Sequence, residues 1–127
     1  MKKSILVLLV TALLLTSIQG FAEYNKQNVV KVMRGNMKLM GQIKKAAKAS
    51  DFFVAAEHLW TIAEGMKSIS QYDPRKGAKS AWDNTMEEFI LTAYKGIGAC
   101  GRSNLDGLNE AVARLAALNK QGHGAHK

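Results

Sequence analysis

The sequence predicts an all-α protein, an antiparallel four-helix bundle, and three observations carry that prediction. Apolar residues recur at steps of three and four along four separate stretches, no stretch alternates with the period of two that a strand requires, and the connections are a few residues long. The chain has 127 residues, 47% of them hydrophobic, with 18 Lys+Arg against 10 Asp+Glu, one Pro and one Cys. That length suits one small domain, and a lone cysteine excludes a disulfide framework within the chain.

The N-terminal stretch reads as a targeting segment. Lys2 and Lys3 precede an apolar run from Ile5 to Leu15, and Gly20-Phe21-Ala22 follows with the small-x-small pattern of a signal-peptidase site. The expected division is a signal peptide over residues 1–22, cleaved after Ala22, and a bundle over 23–127 in the periplasm. The run falls short of the roughly 20 apolar residues a bilayer span needs, so no membrane insertion is expected after cleavage. Removing Lys2 and Lys3 takes the net charge from +8 to +6. Charge of that sign attracts anionic lipid, nucleic acid or an acidic protein. The lysines read as scattered rather than gathered into a stripe with interleaved aromatics, and export separates the chain from nucleic acid, so no nucleic-acid partner is expected.

The elements follow in order. From Tyr24 to about Ala47, Val29, Val30, Met33, Met37, Met40 and Ile43 hold helical spacing with Lys, Asn and Gln between them. Ser50-Asp51 supplies a cap, and Phe53, Ala56, Leu59, Trp60, Ala63, Met66 and Ile69 continue the spacing to about Gln71. Tyr72 to Gly77 contains Pro74, which removes a donor and pushes Asp73 out of helical geometry, so the longest connection falls there. Ser80 opens a third run through Trp82, Met86, Phe89, Ile90, Ala93 and Ile97, which the glycines at 96, 98 and 101 are expected to end. Ser103 or Asn104 caps a fourth, with Leu105, Leu108, Val112, Leu115 and Asn119 on one stripe, before the chain frays through Gly122 and Gly124.

Several residues invite chemistry. Gly96-Ile97-Gly98-Ala99-Cys100-Gly101 spells the dinucleotide fingerprint, but that motif works between a strand and a helix start; here it reads as a helix stop and loop. Cys100 reads as a small residue at a helix end, with an intermolecular disulfide as its rival. His58 reads as a surface or boundary histidine, and Met33, Met37, Met40 and Met66 as core filler rather than soft metal ligands. His123 and His126, three apart, offer two ligands for Zn²⁺ or Cu²⁺, a weak site on a tail. Paired carboxylates, a nucleophile with its base and a metal triad are all missing, so an enzyme is not expected.

The C-terminal Asn119-Lys120-Gln121-Gly122-His123, with the stretch from Val29 through Arg34-Gly35-Asn36-Met37-Lys38 to Gly41, the pair Trp82 and Phe89, and Asn104 to Leu108, resembles the cytochrome c′ family over almost all of the chain after residue 22. The resemblance implies an exported haem protein of electron transfer or small-gas binding, often a homodimer through the first helix and served by a periplasmic redox partner. In that family the last helix ends in Cys-x-x-Cys-His, whose cysteines form thioethers to the haem vinyls and whose His ligates iron. Asn119 and Gly122 stand at the two cysteine positions, so covalent attachment is chemically excluded and His123 is the axial ligand that remains. The family's sixth-ligand position falls on Val30, which cannot bind iron, the Arg associated with a propionate falls on Lys26, and Trp82 belongs to the pocket.

Two states follow. Haem b binds without covalent attachment through His123, leaving iron open opposite Val30, or no haem binds and the bundle serves as a structural or protein-binding module; metal binding by the C-terminal histidines is the further alternative. In the second state a void of about 400 Å³ would cost about 10 kcal/mol at ~24 cal/mol per Å³. The helices must then close, or Met33, Met37, Trp60, Trp82 and Phe89 must fill the gap.

Overall fold

The computed structural model describes residues 25–74 and 76–126, with side chains through position 122. The signal peptide expected at residues 1–22 lies outside the described residues. Among the described residues there are four helices: α1 Lys26–Lys48, α2 Phe52–Ser70, α3 Lys79–Gly101 and α4 Leu105–His126. Every described helix was expected from the apolar spacing, and no strand element occurs among the described residues.

The caps fall where small polar side chains stand. Asn25 accepts the Asn28 amide at 3.1 Å and opens α1. The turns from α1 to α2 and from α3 to α4 are built alike. Ser50 (φ 53) and Ser103 (φ 51) adopt the left-handed region, and the following amides, Asp51 and Asn104, reach back to Ala46 and Ala99 at 2.8 Å. The Asp51 carboxylate then accepts the Val54 amide at 3.2 Å, and the Asn104 side chain accepts the Gly107 amide at 3.0 Å. One residue in each turn therefore satisfies carbonyls at the end of one helix and amides at the start of the next.

Neighbouring helices are matched through pairs whose numbers rise on one and fall on the other. Asn28 donates to the Tyr72 hydroxyl at 2.8 Å and Asn36 to the Met66 sulfur at 3.2 Å, linking α1 to the end of α2 and its last turns. Trp60 lies 6.1 Å from Tyr94, centroid to centroid, across α2 and α3. Gly107 abuts Ala99, Arg114 pairs with Glu88, and Gly122 sits beside Thr85 across α3 and α4. Ile43, Leu59, Ile62, Met66, Ile69, Leu108, Leu115 and Leu118 are the large side chains sealed in the interior. Their removal from water is the main driving term for the fold.

Three expectations are corrected. The glycines at 96, 98 and 101 do not end α3, which runs through Gly101. Gly96 is buried there because a Cβ on it would lie 2.8 Å from Leu59 Cδ1 and 3.2 Å from the Cβ of Ala111, so three helices meet at a point only glycine fits. The last helix likewise continues past Gly122 to His126 instead of fraying. Met37 and Trp60, offered as filler, stand in solvent at 68% and 53% exposure, because both sit at the edges of their apolar stripes, where Trp60 reaches Tyr94 of α3 from outside the core. Trp82 and Phe89 do enter the core, as expected.

Candidate functional site

The residues singled out by sequence fall into two groups. On α1, exposed Lys26 and half-buried Val30 line one open depression of about 470 Å³ together with Gln27, Lys31 and Arg34. On α3 and α4, Trp82 is buried one turn before Thr85, and a Cβ placed on Gly122 would stand 3.8 Å from Thr85 Cγ2. Asn119, half-buried, precedes Gly122 by three residues, so the two positions lie on one side of α4. No described contact joins the groups.

The space between the groups is set by how α1 meets α4. At the far end of α1, Lys44, Ala47 and Lys48 face Leu105, Asn109 and Val112 across a groove of about 430 Å³. Val30 and Met37 share the side of α1 that carries Lys44, since they precede it by fourteen and seven residues. Near α1's start that side is open: Val30 is half-buried and Met37 mostly bare. Position 123 follows Val112 by eleven residues, close to three full turns, so its register on α4 is that of the side facing α1. The side chains of His123 and His126 lie outside the described residues.

The other candidates resolve individually. The Met66 sulfur is buried and already accepts from Asn36, while Met33 and Met40 are half-buried against the core. Cys100 is buried, which pushes its thiol above the ordinary range; an intermolecular disulfide would require the end of α3 to open. His58 sits half-buried on α2, a boundary position as expected. Among the described residues, no three His, Cys, Asp or Glu side chains gather at metal-binding distance.

Two features escaped the sequence reading. Asn36 is a polar residue on the buried stripe of α1, a signal visible in the spacing Val29, Met33, Asn36, Met40, Ile43. The cations are also not scattered: Lys26–Lys48 carries seven of them and no carboxylate, and all seven are exposed. Residues 49–127 carry nine cations and nine carboxylates, so α1 holds the excess charge of this part of the chain. Projecting the helix at 100° per residue would have found this, because the seven fall within an arc of about 140°.

No family model, no curated protein and no solved structure matches the chain.

Proposed function

We propose that the chain is an exported, antiparallel up-and-down bundle of the cytochrome c′ type that holds a haem b without covalent attachment, with His123 as its one protein ligand to iron. The opposed numbering of paired residues, from Asn28 with Tyr72 to Thr85 with Gly122, supports the antiparallel arrangement. The observation that carries the functional reading is the open start of the α1–α4 seam. Lys26 and Val30 lie on α1 at that end, and position 123 shares the register of Val112 on α4.

The residues present offer a porphyrin one imidazole and no covalent bond. Neither the Asn119 amide nor Gly122 can form a thioether. Val30 offers an aliphatic wall instead of a second ligand, while Lys26 provides a cation for a propionate. Bound there, the haem would supply an iron for electron transfer or for a small gas; the protein's part would be to exclude water and hold the ring. A homodimer through α1 would set the seven cations of each copy against one another, so this reading takes the chain as a monomer with that face free.

Hemin titration tests the proposal. A Soret band that saturates in wild type and is lost or blue-shifted in His123→Ala supports it. A band identical in both, or none in either, overturns it. A second reading, a haem-free module that binds a protein partner, draws on the closed interior around Leu59, Ile62, Leu115 and Leu118. It predicts no change in melting temperature on adding hemin, whereas a ligand at a hundredfold its dissociation constant adds about 2.7 kcal/mol.

A further inference from the structure

We propose that the outward face of α1 docks the protein on an anionic lipid surface. Lys26, Lys31, Arg34, Lys38, Lys44, Lys45 and Lys48 occupy one arc opposite the buried stripe of Val29, Asn36, Ile43 and Ala47. Over the length of α1, about 1.5 Å per residue, they are spaced at roughly 5 Å of helix axis, within the ~8 Å screening length of physiological salt. Their fields therefore add. None of the three ion pairs among the described residues involves α1. Elsewhere, residues 49–127 balance their charges, so the positive field is one-sided and orients the molecule as it approaches a negative plane.

The chemistry of the face selects a bilayer over other polyanions. Six of the seven cations are lysines, compact point charges without the planar fork that recognises individual carboxylates or phosphates. Lysine stems can lie along apolar surface while their ammonium groups stay in the aqueous headgroup layer. Within the arc Met37 is 68% exposed and Val30 half-buried, and no aromatic is present on α1 to stack a base. A straight helix bearing cations and a bare thioether side chain is suited to lie in the headgroup layer with Met37 pressed below it. No described helix is long and apolar enough to cross the membrane, so the contact is peripheral.

The test is binding to phosphatidylcholine vesicles with and without phosphatidylglycerol. The protein is used as recovered from cells, its first residue fixed by mass spectrometry so that all variants share it. At about fivefold per cation, Lys38→Gln with Lys45→Gln should weaken binding about 25-fold, while Lys95→Gln with Lys120→Gln should change it less than about twofold. Met37→Gln should weaken binding to phosphatidylglycerol vesicles and leave binding to heparin unchanged. Absence of binding to phosphatidylglycerol vesicles, equal losses in the two double variants, or equal effects of Met37→Gln on lipid and heparin would each overturn the proposal. None of these readouts depends on haem.

Discussion

Gly96→Ala and Gly41→Ala are the same chemical change on two helices of this bundle, and the structure assigns them opposite signs. Alanine improves on glycine inside a helix by about 1 kcal/mol. At Gly41 that gain stands alone, because a Cβ meets nothing within 4 Å. At Gly96 the added carbon lies 2.8 Å from Leu59 Cδ1 and 3.2 Å from the Cβ of Ala111. The leucine end can swing only into a sealed interior, and the alanine carbon moves only if α4 moves. Overpacking of this kind costs about 1–3 kcal/mol, so after the propensity gain we expect a net loss of up to about 2 kcal/mol for Gly96→Ala and a gain of about 1 kcal/mol for Gly41→Ala. Urea unfolding at fixed temperature measures both. In a domain of this size each kcal/mol moves the melting temperature by about 4–8 °C. If Gly96→Ala proves as stabilising as Gly41→Ala, α2, α3 and α4 do not meet at this residue and the packing described for the bundle is wrong.

Other consequences follow from the same coordinates. Asp51→Ala and Asn104→Ala each remove a cap and should cost about 1 kcal/mol, and their melting temperatures should fall together because the two turns are alike; a loss at one turn alone would refute the shared construction. Tyr72→Phe and Asn28→Ala should show a coupling of about 0.5–1.5 kcal/mol in a double-mutant cycle, and additive losses would mean that their hydrogen bond is not formed. The Cys100 thiol, raised by burial, should resist Ellman's reagent in the folded protein and react on unfolding. Because the folded thiol holds its proton to higher pH than the unfolded one, stability should fall as pH rises past the ordinary thiol range, and Cys100→Ser should flatten that fall. On non-reducing electrophoresis the exported protein should run as a monomer; a thiol-sensitive dimer would show that the end of α3 opens.

The helices were legible because a 3.6-residue period survives in any amphipathic segment, and the caps because Asp51 and Asn104 are short side chains at the points where the period restarts. The course of α3 through Gly96 was not, since glycine ordinarily stops a helix and the reason it does not here lies with Leu59 and Ala111, far away in sequence. The exposure of Met37 and Trp60 was hidden for a related reason: periodicity shows how wide an apolar stripe is, and only the positions of the neighbouring helices decide which edge is covered. Trp60 instead finds Tyr94, half-buried on α3. The basic arc of α1 could have been computed from spacing alone, and reading the lysines along the chain rather than around the helix concealed it. Of the candidate site, the absence of cysteine at 119 and 122 was plain in the sequence. The half-burial of Val30 was not, because periodicity does not say which edge of a stripe a neighbour covers.

The central claim is that a haem is held here by one histidine and by no bond to carbon. Protein expressed with export and an ample haem supply should be recovered with a Soret band, and acid–acetone extraction should carry that pigment wholly into the organic phase, leaving colourless polypeptide of unmodified mass. Pigment that stays with the chain, or protein that never acquires any, would contradict the account.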